Sequence, residues 1–323
     1  MSHSSNASRF GFRIVGGCHN ERRLVDWQAA FVGYSRCDER AEVDREAYLS
    51  AFCFGVEFRQ HLDATGSTKN YSGDCWSPRL WFDIDRNDLA AARLDCLKLV
   101  DLLQERYHLD AEFLLLFFSG AKGFHVGLPL SVCGSPPSML KFNQVCRKLS
   151  ERLAELAGVT IDAGVYDKVR AFRAPNSRHS KTGLHKLRFD LHALQRLSVS
   201  RLCELSQEAR PFEIPESPDK CTQAADDWLG AVELVESQHV DRAKRDIVTR
   251  STLNQQTLDF IRNGAISGDR HRLLFSAAAN LAELGCRFEL AYALLSEAAL
   301  DSGLSPSDVR RQIQCGLDHR RTP

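Results

Sequence analysis

The sequence predicts an α+β body followed by a small all-helical domain, and three observations carry that prediction. Over residues 1–210, short apolar runs broken by Gly- and Asp-bearing turns alternate with helix-periodic stretches. Three prolines, Pro211, Pro215 and Pro218, then fall in one acidic span. Beyond about Leu253 every apolar pattern repeats at helical spacing. A chain of 323 residues exceeds one average domain. The expected segments are a body over 1–210, a connector over 211–252 and a helical domain over 253–323, with no internal repeat.

Residues 1–20 are polar and read as frayed. Mixed helix and loop signals over 21–46 precede YLSAFCFGVEF (48–58), whose alternating apolar positions predict a strand. The stretch His61–Pro78 is rich in Gly, Ser, Thr, Asn and Asp and predicts a loop. RLWFDIDRND (79–88) predicts a strand closed by a helix start at Asn87/Asp88. That helix runs to about Tyr107 on Leu89, Ala92, Leu99 and Leu103. FLLLFF (113–118) and FHVGL (124–128) are the next two strands, joined by the turn SGAKG.

Ser138 is expected to cap a second helix built on Phe142, Val145, Leu149, Leu153 and Leu156, which Gly158 ends. VTID (159–162) reads as a short strand. The basic stretch RAFRAPNSRHSKTGLHKLRFD (170–190) takes an irregular path forced by Pro175 and Gly183, with a strand near its end. In the tail, RLLFSAAANLAELG stops at Gly285 and ELAYALLSEAAL follows. Ser305-Pro306-Ser307-Asp308 starts a last helix with a capping residue and proline in its first turn.

Hydrophobic residues at 43% and charged residues at 26% suit a water-soluble chain with a sizeable core. The formal net charge of +0 argues against a nucleic-acid binder driven by a global positive field, so local charge must carry that case. Tyr166–Arg201 holds nine Lys/Arg against two Asp, and Leu202–Asp246 eleven Asp/Glu against five Lys/Arg. These are either two solvated faces of opposite sign or an anion-binding surface followed by an acidic connector. None of the eleven cysteines lies within four residues of another, which removes finger and ribbon spacings and a disulfide scaffold. Buried thiols in a reducing compartment are expected, with a zinc site gathered from distant Cys and His left open. MSHSSNASRF lacks the apolar core of a signal peptide. Phe113–Phe118 is too short to span a bilayer. A cytoplasmic protein without a membrane partner is expected.

In LWFDIDR side chains alternate across the strand, so Leu80, Phe82 and Ile84 face the core while Trp81, Asp83 and Asp85 share the other face. Carboxylates at i and i+2 stand about 6–7 Å apart. They repel unless a cation or a proton intervenes, and hard oxygen ligands favour Mg²⁺ or Mn²⁺. In VTID, Val159 and Ile161 turn inward and Thr160 and Asp162 outward, adding a third acid. Asp190 also follows an apolar residue on a strand and competes for that place; Asp162 is preferred. Three strand-borne acids suit two-metal phosphoryl chemistry, the alternative being solvated strand acids.

At the turn, Ser119 and Lys122 accompany Gly120 and Gly123, which let the backbone approach a ligand, and His125 faces the open side. A hydroxyl, backbone N–H groups, an ammonium and an imidazole make a polyphosphate cradle, although the P-loop spacing is absent. Taken alone, His125 is better read as a structural histidine. A second cationic set, Arg170, Arg173, Ser177, His179 and Lys181, lies just downstream of Asp162.

The series REAYLSAF, LWFDID, SGAKGFH, ID and APNSRHSKTG resembles the archaeo-eukaryotic primase superfamily: primase small subunits, primase-polymerases and mobile-element relatives. Its hhhDhD, SxxxGxH and hD motifs and basic S-x-H-x-K-T-G segment correspond to Asp83/Asp85, Ser119–His125, Asp162 and Ser177–Gly183, spanning roughly Arg45 to Asp190. Lys122 stands where cellular primases often carry Arg, keeping charge but losing bidentate geometry. The resemblance implies an RRM-like antiparallel or mixed sheet with an accessory N-terminal αβ unit. It implies that Asp83, Asp85 and Asp162 bind two Mg²⁺ or Mn²⁺ ions, and that Ser119, Lys122, His125, Arg173 and His179 hold the triphosphate of an incoming NTP or dNTP.

The tail looks, more loosely, like the helical primase domain of phages and plasmids, its usual Arg-Asn pair appearing as Asp269-Arg270-His271-Arg272. The implied function is a DNA-dependent primase, encoded by a phage, plasmid or related element, that makes short primers on single-stranded DNA. The alternatives are a primer-extending or gap-filling polymerase of the same superfamily and a catalytically idle DNA-binding initiation factor. A separate helicase or replication initiator is an expected partner. A D-x-D glycosyltransferase ranks last, since nothing resembles its sugar-nucleotide fold.

Overall fold

Alternation over Phe10–Val15 places Phe12 and Ile14 fully inside the protein, so this stretch is a central strand and not a frayed end. Strand β1 (Phe10–Val15) pairs antiparallel with β2 (Arg23–Asp26), and Asp26 caps α1 (Trp27–Ser35) by accepting from Ala29 N. It also pairs with β3 (Ala47–Ser50) and β4 (Cys53–Phe54). The single strand expected over 48–58 is therefore two, parted by a bend at Ala51–Phe52. Gly55 ends the extended run and opens α2 (Val56–Thr65), which takes the first part of the expected loop. Strand β5 (Cys75–Trp76) pairs with β4. The computed structural model describes residues 9–249, 253–266 and 268–318, as backbone alone over 239–249. The polar start, residues 1–8, lies outside them.

Strand β6 (Arg79–Asp85) begins a second sheet. Asp88 caps α3 (Leu89–Tyr107) through Ala90 N and Ala91 N, as the sequence predicts. Strands β7 (Leu115–Phe118) and β8 (Gly123–Pro129) form the hairpin around the SGAKG turn. Phe82, Phe124 and Val126 are fully buried here, each contributing roughly 1.5–3 kcal/mol. Helix α4 (Phe142–Ala157) starts after Lys141 and has no side-chain cap. Ser138 cannot supply one, because the next residue, Met139, is held in a two-way backbone bridge with Cys75. Leu156 falls on the exposed face of α4, and Gly158 ends the helix.

Strand β9 (Ala171–Arg173) crosses to β3, so the first sheet runs β5-β4-β1-β3-β9 with β2 on β1. Strand β10 (Leu187–Phe189) returns to β7, and the second sheet runs β10-β7-β8-β6. All of these pairs are antiparallel. The unit β6-α3-β7-β8-α4, with β8 between its neighbours, is the β-α-β-β-α arrangement of a split βαβ sheet. Against the free edge of β6 runs 159–162, which is not the expected strand. It makes one backbone bond to β6, Asp162 N to Asp83 O at 2.8 Å, and Asp162 then caps a short 3₁₀ turn by accepting from Gly164 N.

Helices α5 (Leu191–Arg196) and α6 (Val199–Leu205) follow. The span expected as a connector is laid on the body: Phe212 N donates to Ser35 O and the Phe212 ring meets Phe117. Helix α7 (Thr222–Thr249) then buries Ala224, Trp228, Ala231 and Val235 at helical spacing. Two compact units meet at Val235/Glu236, inside this helix. The second unit holds α8 (Gln255–Asn263), α9 (Arg270–Glu283), α10 (Phe288–Asp301) and α11 (Pro306–Asp318), closed around Phe260, Leu274, Leu281, Leu295, Val309 and Ile313. Ser305 caps α11 through Asp308 N, as expected. Among the described residues no helix is long and apolar enough to cross a membrane.

Candidate active site

The register of β6 on β8 sets the site. Asp83 lies opposite His125 and Asp85 opposite Gly123. A Cβ on Gly123 would stand 2.2 Å from Asp85 Oδ1 and 2.3 Å from Ile84 O, so only glycine lets the Asp85 side chain lie there. The expected open face of β6 is open only at this end. Trp81 is buried, with Phe31, Phe117 and Phe172 at centroid distances of 5.5 to 6.4 Å, because α1 and β9 cover the start of the strand.

Each acid faces a basic side chain. His125 Nε2 lies 3.3 Å from Asp83 Oδ1, Lys122 Nζ 3.4 Å from Asp85 Oδ2, and Arg170 Nη2 3.9 Å from Asp162 Oδ2. The His125 contact is a close approach without hydrogen-bond alignment, and Asp83 Oδ1 and His125 Nδ1 remain buried without hydrogen-bond partners. Burial pushes the Asp83 carboxyl up, but His125, Lys186 and Arg170 outweigh it and hold the group ionised below its usual range. Burial and then Lys186 push His125 below its ordinary value, so the imidazole beside Asp83 is neutral at neutral pH. Its ring packs on Phe172 at 4.5 Å.

The turn hydroxyl works inward. Ser119 Oγ accepts from Gly123 N at 3.2 Å and Ala121 N at 3.4 Å, shaping the loop that carries Lys122. Across the cleft, Arg173 donates to Tyr48 Oη at 3.3 Å and approaches Glu46 at 3.6 Å, and its Nη1 is buried without a hydrogen-bond partner. His179 Nδ1 accepts from Lys181 N and Thr182 N, which puts the ring proton on Nε2. Burial and then Arg173 lower its pKa.

The structure gathers Asp83, Asp85, Ser119, Lys122, His125, Arg173 and His179 around one cleft of about 190 Å³. Asp162 stands at the neighbouring edge of β6, tied to Asp83 through its backbone. Asp190 does not join them, because it caps α5 at the far side of the second sheet, accepting from Ala193 N. Ser177 is also spent on structure: buried, it donates to Ala47 O and Ala174 O. Sequence reasoning missed Lys186. This buried lysine donates to Arg173 O at 2.9 Å amid the Trp81, Phe117 and Phe172 rings, and burial depresses its pKa strongly. Its place opposite Leu187 and Phe189 in HKLRF was the available signal.

Among the described residues no three His, Cys, Asp or Glu side chains converge as a ready-made metal cage. A small hard divalent ion does not need one, since one or two carboxylates plus substrate phosphates commonly suffice. Asp83 and Asp85 fit that requirement, with the unpartnered Asp83 oxygen as the clearest sign.

No family model and no curated protein matches the chain. Among solved structures it is similar to the crystal structure of primase RepB', with a TM-score of 0.39 and 13% identity over 98% of this chain and 96% of that one.

Proposed function

We propose that the chain is a nucleotidyltransferase that joins (d)NTPs on a single-stranded DNA template and starts primers without a pre-existing 3′ end. The support is one cleft in which paired carboxylates, Asp83 and Asp85, face the cations Lys122 and Arg173 and the His179 imidazole. On this reading Asp83 and Asp85, with Asp162 beside them, would hold Mg²⁺ or Mn²⁺. Bound metal would neutralise the triphosphate and the departing pyrophosphate. Lys122 supplies a mobile point charge to the phosphates. Arg173 adds a guanidinium whose Nη1 has no hydrogen-bond partner, and His179 offers Nε2–H as a neutral donor. Ser119 acts through the turn it shapes, and neutral His125 lies beside the Asp83 carboxylate.

Template with NTPs or dNTPs and no primer should give short products with the full chain and none with Asp83→Ala/Asp85→Ala. Unchanged synthesis by that variant sinks the proposal. Products that appear only when a primer is supplied assign primer extension instead. The helical unit is assigned to initiation, and a chain ending at residue 250 that primes as well as the full one removes that assignment.

A further inference from the structure

The other end of β6 borders a cavity. Arg79 begins the strand that Asp85 ends, roughly 20 Å away along an extended chain. Beside it lies a cavity of about 420 Å³ lined by Arg9, Trp27, Trp76, Arg79 and Ser131, with Glu216 also in its lining. A second hollow of about 260 Å³ shares Arg9, Trp76 and Ser135 with the first.

Three features distinguish this groove. Arg79 is buried, at 7% exposure, and its guanidinium donates only to carbonyls, of Phe113 at 3.0 Å, Gly127 at 3.4 Å and Pro215 at 3.5 Å. No carboxylate among the described residues pairs with it, and a buried unneutralised cation is costly. The Ser131 hydroxyl is buried without a partner. The Arg9 guanidinium sits 3.8 Å over the centre of the Trp76 indole, a flat cationic platform of the kind on which nucleobases stack.

We propose that this groove binds single-stranded nucleic acid, with a base stacked on the Arg9–Trp76 pair and a backbone phosphate drawn to Arg79. A purely apolar ligand would leave Arg79 and Ser131 unanswered, and a simple anion would leave the platform unused. A nucleotide combines a planar ring with a phosphate. Two hollows flanking one stacking pair accommodate consecutive units, which favours a strand over a free nucleotide. The proposal is independent of catalysis, because it stands if the acid cleft proves idle.

The test is fluorescence anisotropy of a short labelled oligothymidine with the full chain, in chelator so that metal-dependent binding at the acids is silent. Arg9 is exposed, so Arg9→Glu leaves folding intact, as a thermal melt verifies. It should weaken binding about tenfold and flatten its salt dependence. Trp76→Ala should weaken it similarly, and a strand bearing 5-iodouracil should photo-crosslink to Trp76. Undiminished binding by Arg9→Glu overturns the proposal, with or without a folded Trp76→Ala. Free dTTP binding as tightly as the oligonucleotide, with the same sensitivity to Arg9→Glu, overturns the assignment to a strand.

Discussion

Replacing Gly123 by alanine should damage stability and synthesis together, and the geometry gives the size of both effects. The new Cβ would stand 2.2 Å from Asp85 Oδ1, 2.3 Å from Ile84 O and 3.1 Å from Asp85 Cα. The carboxylate can swing aside. The Ile84 carbonyl cannot, because it belongs to the β6–β8 pairing. Restoring ordinary carbon–oxygen contact requires the strands to part by about 1 Å. Overpacking of this kind costs about 1–3 kcal/mol, and at about 2–4 °C per kcal/mol for a unit of this size the melting midpoint falls by roughly 2–12 °C. A displacement of about 1 Å in a catalytic group can cost on the order of 100-fold in rate, so template-directed incorporation should collapse well below the lowered midpoint. Gly158→Ala is the control. Nothing lies within 4 Å of its Cβ, and only its φ of +65° resists the change, costing about 1 kcal/mol with synthesis intact. Circular-dichroism melts and a gel-resolved incorporation assay read both variants. A Gly123→Ala protein as stable and as active as its parent refutes the reasoning.

Lys122→Ala removes a pair whose side chains are 63% and 37% exposed, so stability should change by less than about 1 kcal/mol. Nucleotide affinity should fall about tenfold, which titration of a fluorescent dNTP would measure. His179 has its folded pKa below its unfolded one, through burial and then Arg173. The unfolded chain therefore takes up that proton first, and stability declines as pH drops below the ordinary histidine value of about 6.5. His179→Gln should flatten the urea-midpoint profile between about pH 7 and pH 5; an unaltered slope counts against the assignment. Asp227→Asn breaks the Arg106 fork at 2.6 and 2.7 Å and the Tyr107 bond at 2.9 Å. It should cost about 3 kcal/mol in urea unfolding and unseat the start of α7 from the body.

What could be read from the sequence was what local chemistry decides. Asp88 before an apolar period announces α3, and alternation through LWFDID fixes which side chains share a face of β6. Alternation cannot say what covers a face. Trp81 and Asp83 stand on the same side of one strand, yet Trp81 is buried under Phe172 from a strand about ninety positions later, while Asp83 lines a cleft. The same limit hid Lys186. The pattern HKLRF sets Lys186 opposite Leu187 and Phe189 and reads as a solvated lysine beside a core strand. The crossing of β9 to β3 brings the first sheet over it, closing Trp81, Phe117 and Phe172 around its ammonium. The acids of the cleft are thus local features of β6, whereas the buried cation that helps keep Asp83 ionised exists only where the two sheets meet. Weakening the β9–β3 pairing should therefore alter the charge state of the cleft before it disturbs the register of Asp83 on His125, since that register belongs to the second sheet alone.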